Sequence, residues 1–401
     1  MISKAVIRIV QSPRFRMIVA IAIVAAALAY VVGRVALSSI VDVDFRHFWK
    51  AGHVWASGGN PYSADYFRPP DPPLPGPKLL LWAYPPQIWL VARPIASLEP
   101  QVALTTWRLI SVALIVGSCL LVQPRTPDKN RFPPVGTALL IGSATASYNA
   151  SLTLAFGQIS PLIMLGAALV HTGLLSRREW PIAAGTLLLL LKPQVGLVLV
   201  PLLLAIPHAR RSALAGGVIC ILVASIPLLQ VGIEPTIRGL LSNMGRYDDF
   251  QGNLPENSSG LANLASYFGM SVPLPVGLTL AFATSAWFTW QLLSRGMLVP
   301  GRRDGADLLI LGALAATSAF VQLHFFDLLW LALAPAFSGS LGRRERVLLL
   351  LAAAVLFRSG NVENAIRAIV GAPSGLGDTL STLVAFVMLG IACSATLRPR
   401  R

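Results

Sequence analysis

Apolar runs of helix length recur along this sequence from end to end, and no other feature restricts its fold as strongly. A helix needs roughly 20 apolar residues to cross the hydrocarbon core of a bilayer. Runs near that length fall at 15–37, 101–123, 134–152, 159–175, 213–231, 275–294, 306–322, 325–340, 345–358 and 379–397. Two shorter runs, 181–191 and 194–207, flank Lys192-Pro193. Proline removes a backbone donor and disfavours helix at the residue before it, so these runs read as a hairpin of short helices. Its tip lies within the membrane region, where non-helical backbone is kept only if buried in protein or lining a cavity. The expectation is an all-α polytopic membrane protein with about 12 transmembrane helices, some short or broken, forming one integral domain over residues 1–401.

Composition agrees. The 401 residues are 55% hydrophobic and 12% charged, with mean hydropathy +0.67, whereas soluble domains carry about 25% charged residues. The first run is long for a signal-peptide core and lacks a clear small-residue cleavage site, so it reads as a retained helix. Cys119, Cys220 and Cys393 fall inside apolar runs and share neither a disulfide framework nor metal-ligand spacing. The sequence contains no phosphate-cradling glycine loop, nucleophile elbow or zinc signature, and neither a cofactor nor a metal is expected.

A net charge of +15 would suit a nucleic-acid partner, but its distribution argues against one. The basic residues cluster between apolar runs at Lys4/Arg8/Arg14/Arg16, Arg125/Lys129/Arg131, Arg177/Arg178, Arg210/Arg211, Arg295/Arg302/Arg303, Arg343/Arg344/Arg346 and Arg398/Arg400/Arg401. With twelve spans all seven clusters fall on one side, which the positive-inside rule makes cytoplasmic. A multi-pass protein of the plasma (inner) membrane follows, with both termini cytoplasmic. Two long connections, 39–100 and 232–274, then face outward, and most acidic and imidazole groups lie on that external side. The first loop is expected to hold interfacial helices after Asp44 and after Tyr84, spaced by the extended, proline-rich 69–77.

Several residues on the external side can carry chemistry. Val41-Asp42-Val43-Asp44-Phe45 places two carboxylates at a bilayer edge, where they are costly. A helix starting at Asp44 puts Phe48, Ala51 and Trp55 on an apolar stripe suited to the membrane surface, with Arg46, Lys50 and His53 opposite. Asp44 is either an N-cap or a general base at the mouth of a cavity, and the two roles are compatible. Asp42 is its possible substitute. In Gln322-Leu323-His324-Phe325-Phe326-Asp327 the histidine and carboxylate share a helical face. His324 then contacts a phosphate, relays a proton, or pins two helices with Asp327. Lys192, following Leu187–Leu191, needs an anion, and a phosphate is the natural one; snorkelling is the alternative. Arg358 and Arg367 are weaker candidates for the same task, with lipid headgroups as alternative partners. Gln158 suits a sugar hydroxyl or a helix cap. Asn257, in the second external loop, and His47, near Asp44, offer polar contacts.

In their order, Asp44-Phe45, Gly59-Asn60-Pro61-Tyr62, Tyr84-Pro85-Pro86, Gly157-Gln158, Leu191-Lys192-Pro193, Asn257-Ser258 and His324-x-x-Asp327 resemble glycosyltransferase family 87. These are polytopic GT-C enzymes that include polyprenyl-phosphate-mannose-dependent mannosyltransferases. The resemblance implies a hexosyltransferase of the GT-C fold acting on the periplasmic or extracytoplasmic face. It would move one sugar, such as mannose, from a polyprenyl-phosphate donor to a lipid-linked or glycan acceptor, with inversion. Asp44 maps onto the general base and His324 onto an important late histidine. Lys192, Arg358 and Arg367 would meet the donor phosphate, with Asp42, His47, Tyr62, Tyr84, Gln158, Asn257 and Asp327 lining the substrates. A single histidine before Phe325-Phe326-Asp327 departs from the paired histidines of some members. A transporter or lipid flippase is the competing class; it needs polar groups through the midplane with access to both sides, whereas here they crowd one face.

Overall fold

The computed structural model of the protein describes residues 12–36, 43–67, 81–123, 134–246, 254–255, 258–357 and 376–398. In chain order the helices are α1 (Pro13–Ala36), α2 (Val43–Ala56), α3 (Trp89–Ile95), α4 (Pro100–Leu121), α5 (Pro134–Thr145) and α6 (Tyr148–Phe156). Next come α7 (Ser160–Ser176), α8 (Glu179–Leu190), α9 (Pro193–Ala205), α10 (Arg210–Val231), α11 (Ile233–Gly245) and α12 (Leu261–Ser266). Then follow α13 (Leu274–Ser294), α14 (Arg303–Phe320), a 3-10 helix (Phe325–Ser340), α15 (Arg343–Phe357) and α16 (Leu376–Leu397). The protein is an all-α polytopic membrane protein. Helices α1, α4, α10, α13 and α16 contain apolar stretches long enough to cross a membrane, and shorter apolar helices fill in between them.

Helix α14 forms the centre. Every residue from Gly305 to Ala319 is buried, as expected for a helix walled by protein on all sides. Beside it α7 crosses α8 at close range because both carry glycine at the crossing. A Cβ on Gly185 would lie 2.6 Å from the Gly166 carbonyl oxygen, and small residues at such crossings let two backbones approach.

The expected hairpin at Lys192-Pro193 is present. Helix α8 ends at Leu190 and α9 begins with Pro193 in its first turn, where the missing N–H costs nothing. Gln87 Nε2 donates to the Leu190 carbonyl at 2.8 Å and ties the tip to the segment before α3. Two spans differ from expectation. The run 134–152 is divided, because Ser147 caps α6 by accepting from the Ala150 N–H at 3.0 Å. The run 325–340 has its predicted limits but is a 3-10 helix over its whole length.

The basic clusters sort physically. Arg398 pairs with Glu345, Arg295 donates to the Arg398 carbonyl at 3.1 Å, and Arg303 donates to the Val122 carbonyl at 2.8 Å. The starts of α14 and α15 thus gather with the ends of α4, α13 and α16 at one end of the bundle. Lys192 and Asp327 lie at the other.

Helix α2 corrects the expected membrane-surface stripe. Phe48, Ala51 and Trp55 are buried inside the protein, and so are Phe45, Trp49 and Lys50. Their partners are other aromatic rings: Trp82 lies edge-on to Phe48 and to Trp55, each at 5.8 Å between ring centroids. The helix is a core element rather than a float on the bilayer.

Because α7 and α8 touch through backbone, Gly185→Val should overpack the crossing and cost about 1–3 kcal/mol. Thermal unfolding of the purified variant in detergent checks this; an unchanged midpoint would refute the crossing.

Candidate active site

The site is built where four segments that end abruptly meet. Helix α2 begins at Val43, which places Asp44 in its first turn, half-buried, where a carboxylate is favoured by the helix dipole. Helix α6 stops at Gly157, whose φ of +72° ends the helix in the left-handed region. No side chain fits there, since a Cβ would lie 2.5 Å from Phe45 Cβ. Trp107 Nε1 holds the turn by donating to the Gly157 carbonyl at 2.9 Å. The chain therefore passes directly beneath α2, and the buried Gln158 amide hydrogen-bonds to the Asp44 carboxylate. Gln158 Oε1 is left buried without a partner.

The third segment is the α8–α9 tip and the fourth the start of the 3-10 helix. Lys192 Nζ forms an ion pair with Asp327 Oδ1, both groups nearly inaccessible to solvent. Ser160 Oγ donates to the same oxygen at 2.9 Å, and the His324 N–H donates to Asp327 Oδ2 at 3.3 Å. Asp327 is thus an N-terminal cap, a counter-ion and a hydrogen-bond acceptor at once. Lysine does meet the anion that its burial requires, but that anion is Asp327.

Burial pushes the Asp44 carboxyl up to about 6; the Gln158 hydrogen bond opposes this, the Asp327 charge adds to it, and Lys192 opposes it again. One carboxylate in this cluster is therefore committed to an ion pair, while the other titrates near neutrality. That division suits acid–base work.

Other predicted residues hold the wall of the site. Burial lowers His47 to about 4, so its imidazole is neutral and Nδ1 accepts from the Tyr66 hydroxyl. The two rings stack with centroids 5.9 Å apart. Burial first, and the Asp44 charge second, push the Tyr66 phenol well up. Tyr62 is buried and donates its hydroxyl to the Tyr84 carbonyl at 2.6 Å, while the Tyr84 ring packs on Phe48 at 4.7 Å. Asn60 shapes this corner, its Oδ1 accepting from the Tyr62 N–H at 3.0 Å. His324 precedes the 3-10 helix and stacks on Phe326 at 5.0 Å. Its link to Asp327 is the backbone cap, not the shared side-chain face expected of an α-helix. Asp42, Asn257, Arg358 and Arg367 lie outside the described residues.

A model of glycosyltransferase family 87 matches residues 82–373, well over half of the chain. The chain belongs to glycosyltransferase family 87. It is therefore a membrane glycosyltransferase. Comparison with curated proteins and with solved structures returned no match. The family 87 match includes Tyr84, Gln158, Lys192, Asn257, His324, Asp327, Arg358 and Arg367, and it begins after Asp42, Asp44, His47 and Tyr62.

Several residues of this family 87 site escaped sequence reasoning. Ser160, Tyr66, Asn149 and Thr153 are unremarkable by position; Thr153 Oγ1 donates to the Phe326 carbonyl at 3.2 Å and Asn149 to that of Phe325. At the opposite end His171 Nε2 meets Asp307 Oδ1 at 2.7 Å, and Ser340 Oγ donates to Asp307 Oδ2 at 2.6 Å. A signal for that pair existed. His171 and Asp307 are the single ionisable groups in the runs 159–175 and 306–322, each within two turns of a basic cluster, and so at matched depth.

Removing one partner of a buried pair costs about 3–5 kcal/mol. Lys192→Met should be destabilised by that order, and Lys192→Met with Asp327→Asn should recover most of the loss. Thermal unfolding of both variants checks this; equal destabilisation would show that no buried charge was left behind.

Proposed function

We propose that this glycosyltransferase moves a single hexose, such as mannose, from a polyprenyl-phosphate donor to a lipid-linked or glycan acceptor on the extracytoplasmic face. The configuration is inverted, and Asp44 is the general base. The observation that carries this reading is the pairing of a half-buried carboxylate raised to about 6 with a buried ammonium close enough to influence it. A base is most effective when its pKa lies near the working pH.

In this mechanism Asp44 takes the proton of an acceptor hydroxyl as that oxygen bonds to the anomeric carbon. The bond from that carbon to the phosphate oxygen breaks on the opposite face. Lys192 meets the charge that builds on the leaving phosphate. An ammonium has three donors, so its bond to Asp327 leaves others for a phosphate oxygen. Gln158 holds the base with its amide N–H, and its unpartnered Oε1 accepts from a sugar hydroxyl. His324, at the rim, contacts the phosphate or relays a proton. Arg358 and Arg367 join Lys192 at the phosphate, and Asp42, His47 and Asn257 line the substrates. Tyr62 and Tyr84 contribute by shaping the wall. The arginine-rich end of the bundle faces the cytoplasm of a plasma-membrane protein, in line with the positive-inside rule.

Asp44→Asn should fold and insert normally yet lose transfer from polyprenyl-phosphate sugars, followed by mass analysis of products. Full activity would remove Asp44 from this role. In the wild type kcat/KM should rise with pH through about 6 as Asp44 loses its proton. Gln158→Leu deletes the hydrogen bond that favours the charged form, so the acid limb should move to higher pH. A limb that moves down or stays fixed contradicts this assignment.

A further inference from the structure

On the side of the 3-10 helix away from Lys192 lies an apolar cavity of about 470 Å³, walled by α5, the 3-10 helix and α15. Three residues per turn stack side chains i and i+3 in straight rows. Asp327 and Trp330 share the row facing the bundle centre, Asp327 reaching Lys192 and Trp330 Nε1 donating to Ser318 Oγ at 3.0 Å. Phe337 and Ser340 share a second, against His171 and Asp307. Leu329, Ala332, Pro335 and Ser338 form the third, and all four line the cavity, joined by Leu328 and Leu331 of the second row and Ala336 of the first. At about 2 Å of rise per residue this row is straight for about 18 Å, more than half of a hydrocarbon core of about 30 Å. An α-helix would wind the same row around its axis and offer no straight wall.

The polar atoms of the wall indicate what kind of molecule it takes. Asn149 lines the cavity close to the Phe325 turn, and its Nδ2 donates to the Phe325 carbonyl, which fixes the amide's orientation. Its Oδ1 is buried and has no partner among the described residues. No charged side chain among the described residues lines the cavity. The wall therefore carries an unpartnered acceptor for a hydroxyl and, among the described residues, no cation for a phosphate, whereas the buried ammonium of Lys192 stands against the Asp327 row.

We infer that this cavity holds the hydrocarbon chain of a lipid-anchored acceptor, with a hydroxyl near the head of that chain bonded to Asn149 Oδ1. The inference rests on the transferase reading above and narrows its acceptor to a lipid. Donor and acceptor then approach from two faces of one helix, the phosphate on the Asp327 row and the acceptor chain on the Leu329 row.

Photolabelling tests this without turnover. The protein, in nanodiscs, is irradiated with a hexadecyl mannoside carrying a diazirine midway along its chain, and labelled peptides are sequenced. Label should fall on the Leu329–Ser338 or Ala353 peptides. It should be lost in Ala332→Trp and in the milder Ala353→Leu, persist in Asp44→Asn, and withstand excess undecaprenyl phosphate. With a polyprenyl-phosphate mannose donor, Ala332→Trp should raise KM for hexadecyl mannoside by about tenfold and leave methyl mannoside unchanged. Label elsewhere, or unaffected by both substitutions, overturns the proposal. So does competition by undecaprenyl phosphate, which would give the cavity to the donor chain. Absence of transfer to either mannoside would instead count against the transferase reading, and the labelling result would stand.

Discussion

The buried ion pair between Lys192 and Asp327 is the interaction on which the arrangement of this protein depends. Neither charge is tolerable alone in an apolar bundle, so the α8–α9 tip must meet the start of the 3-10 helix. Ser160 then falls within reach of the same carboxylate, and Gln87 secures the tip from the other side. Such a pair adds little net stability once desolvation is counted. Its contribution is register: it decides which turn of one segment faces which turn of another, and Asp44 inherits its electrostatic surroundings from that choice.

Two carboxylates and one ammonium share this cluster, and their environments divide the labour. Asp327 has an ion pair, a serine hydroxyl and a backbone N–H. Asp44 has one amide and a partly open face. Asp44, the less fully satisfied of the two, is the one left to exchange a proton. Burial has the largest part in this, because it keeps water from the Asp44 carboxyl and so raises its proton affinity.

Much of this could be read from the amino acids because apolar runs and proline act locally. The limits of most long apolar helices follow from run length, and the hairpin at Lys192-Pro193 from proline chemistry, whereas α11 and α12 fall in a connection that carried no such signal. Asp44, Gln158, Lys192 and Asp327 stood out because polar groups are rare in such runs. Less legible was how they pair. Lys192 was expected to await a phosphate, since sequence order says nothing about a carboxylate 135 residues further on. The burial of α2 was also hidden: its stripe suits lipid and aromatic protein equally, and only the segment around Trp82 decides. Nor does composition separate a 3-10 helix from an α-helix, because both satisfy an apolar run.

The 3-10 helix makes the protein unusually sensitive to phase. With three residues per turn, inserting one residue between Asp327 and Ser338 rotates everything beyond it by about 120°. The row facing the cavity would then face the bundle, and Ser340 would leave Asp307. Three inserted residues would restore the rotation but lengthen the rod by about 6 Å, pushing its two carboxylate-bound ends apart. Side chains along this helix can therefore be exchanged one at a time, but its residue count cannot change, and lineages carrying this rod are free to diverge by substitution and not by insertion or deletion.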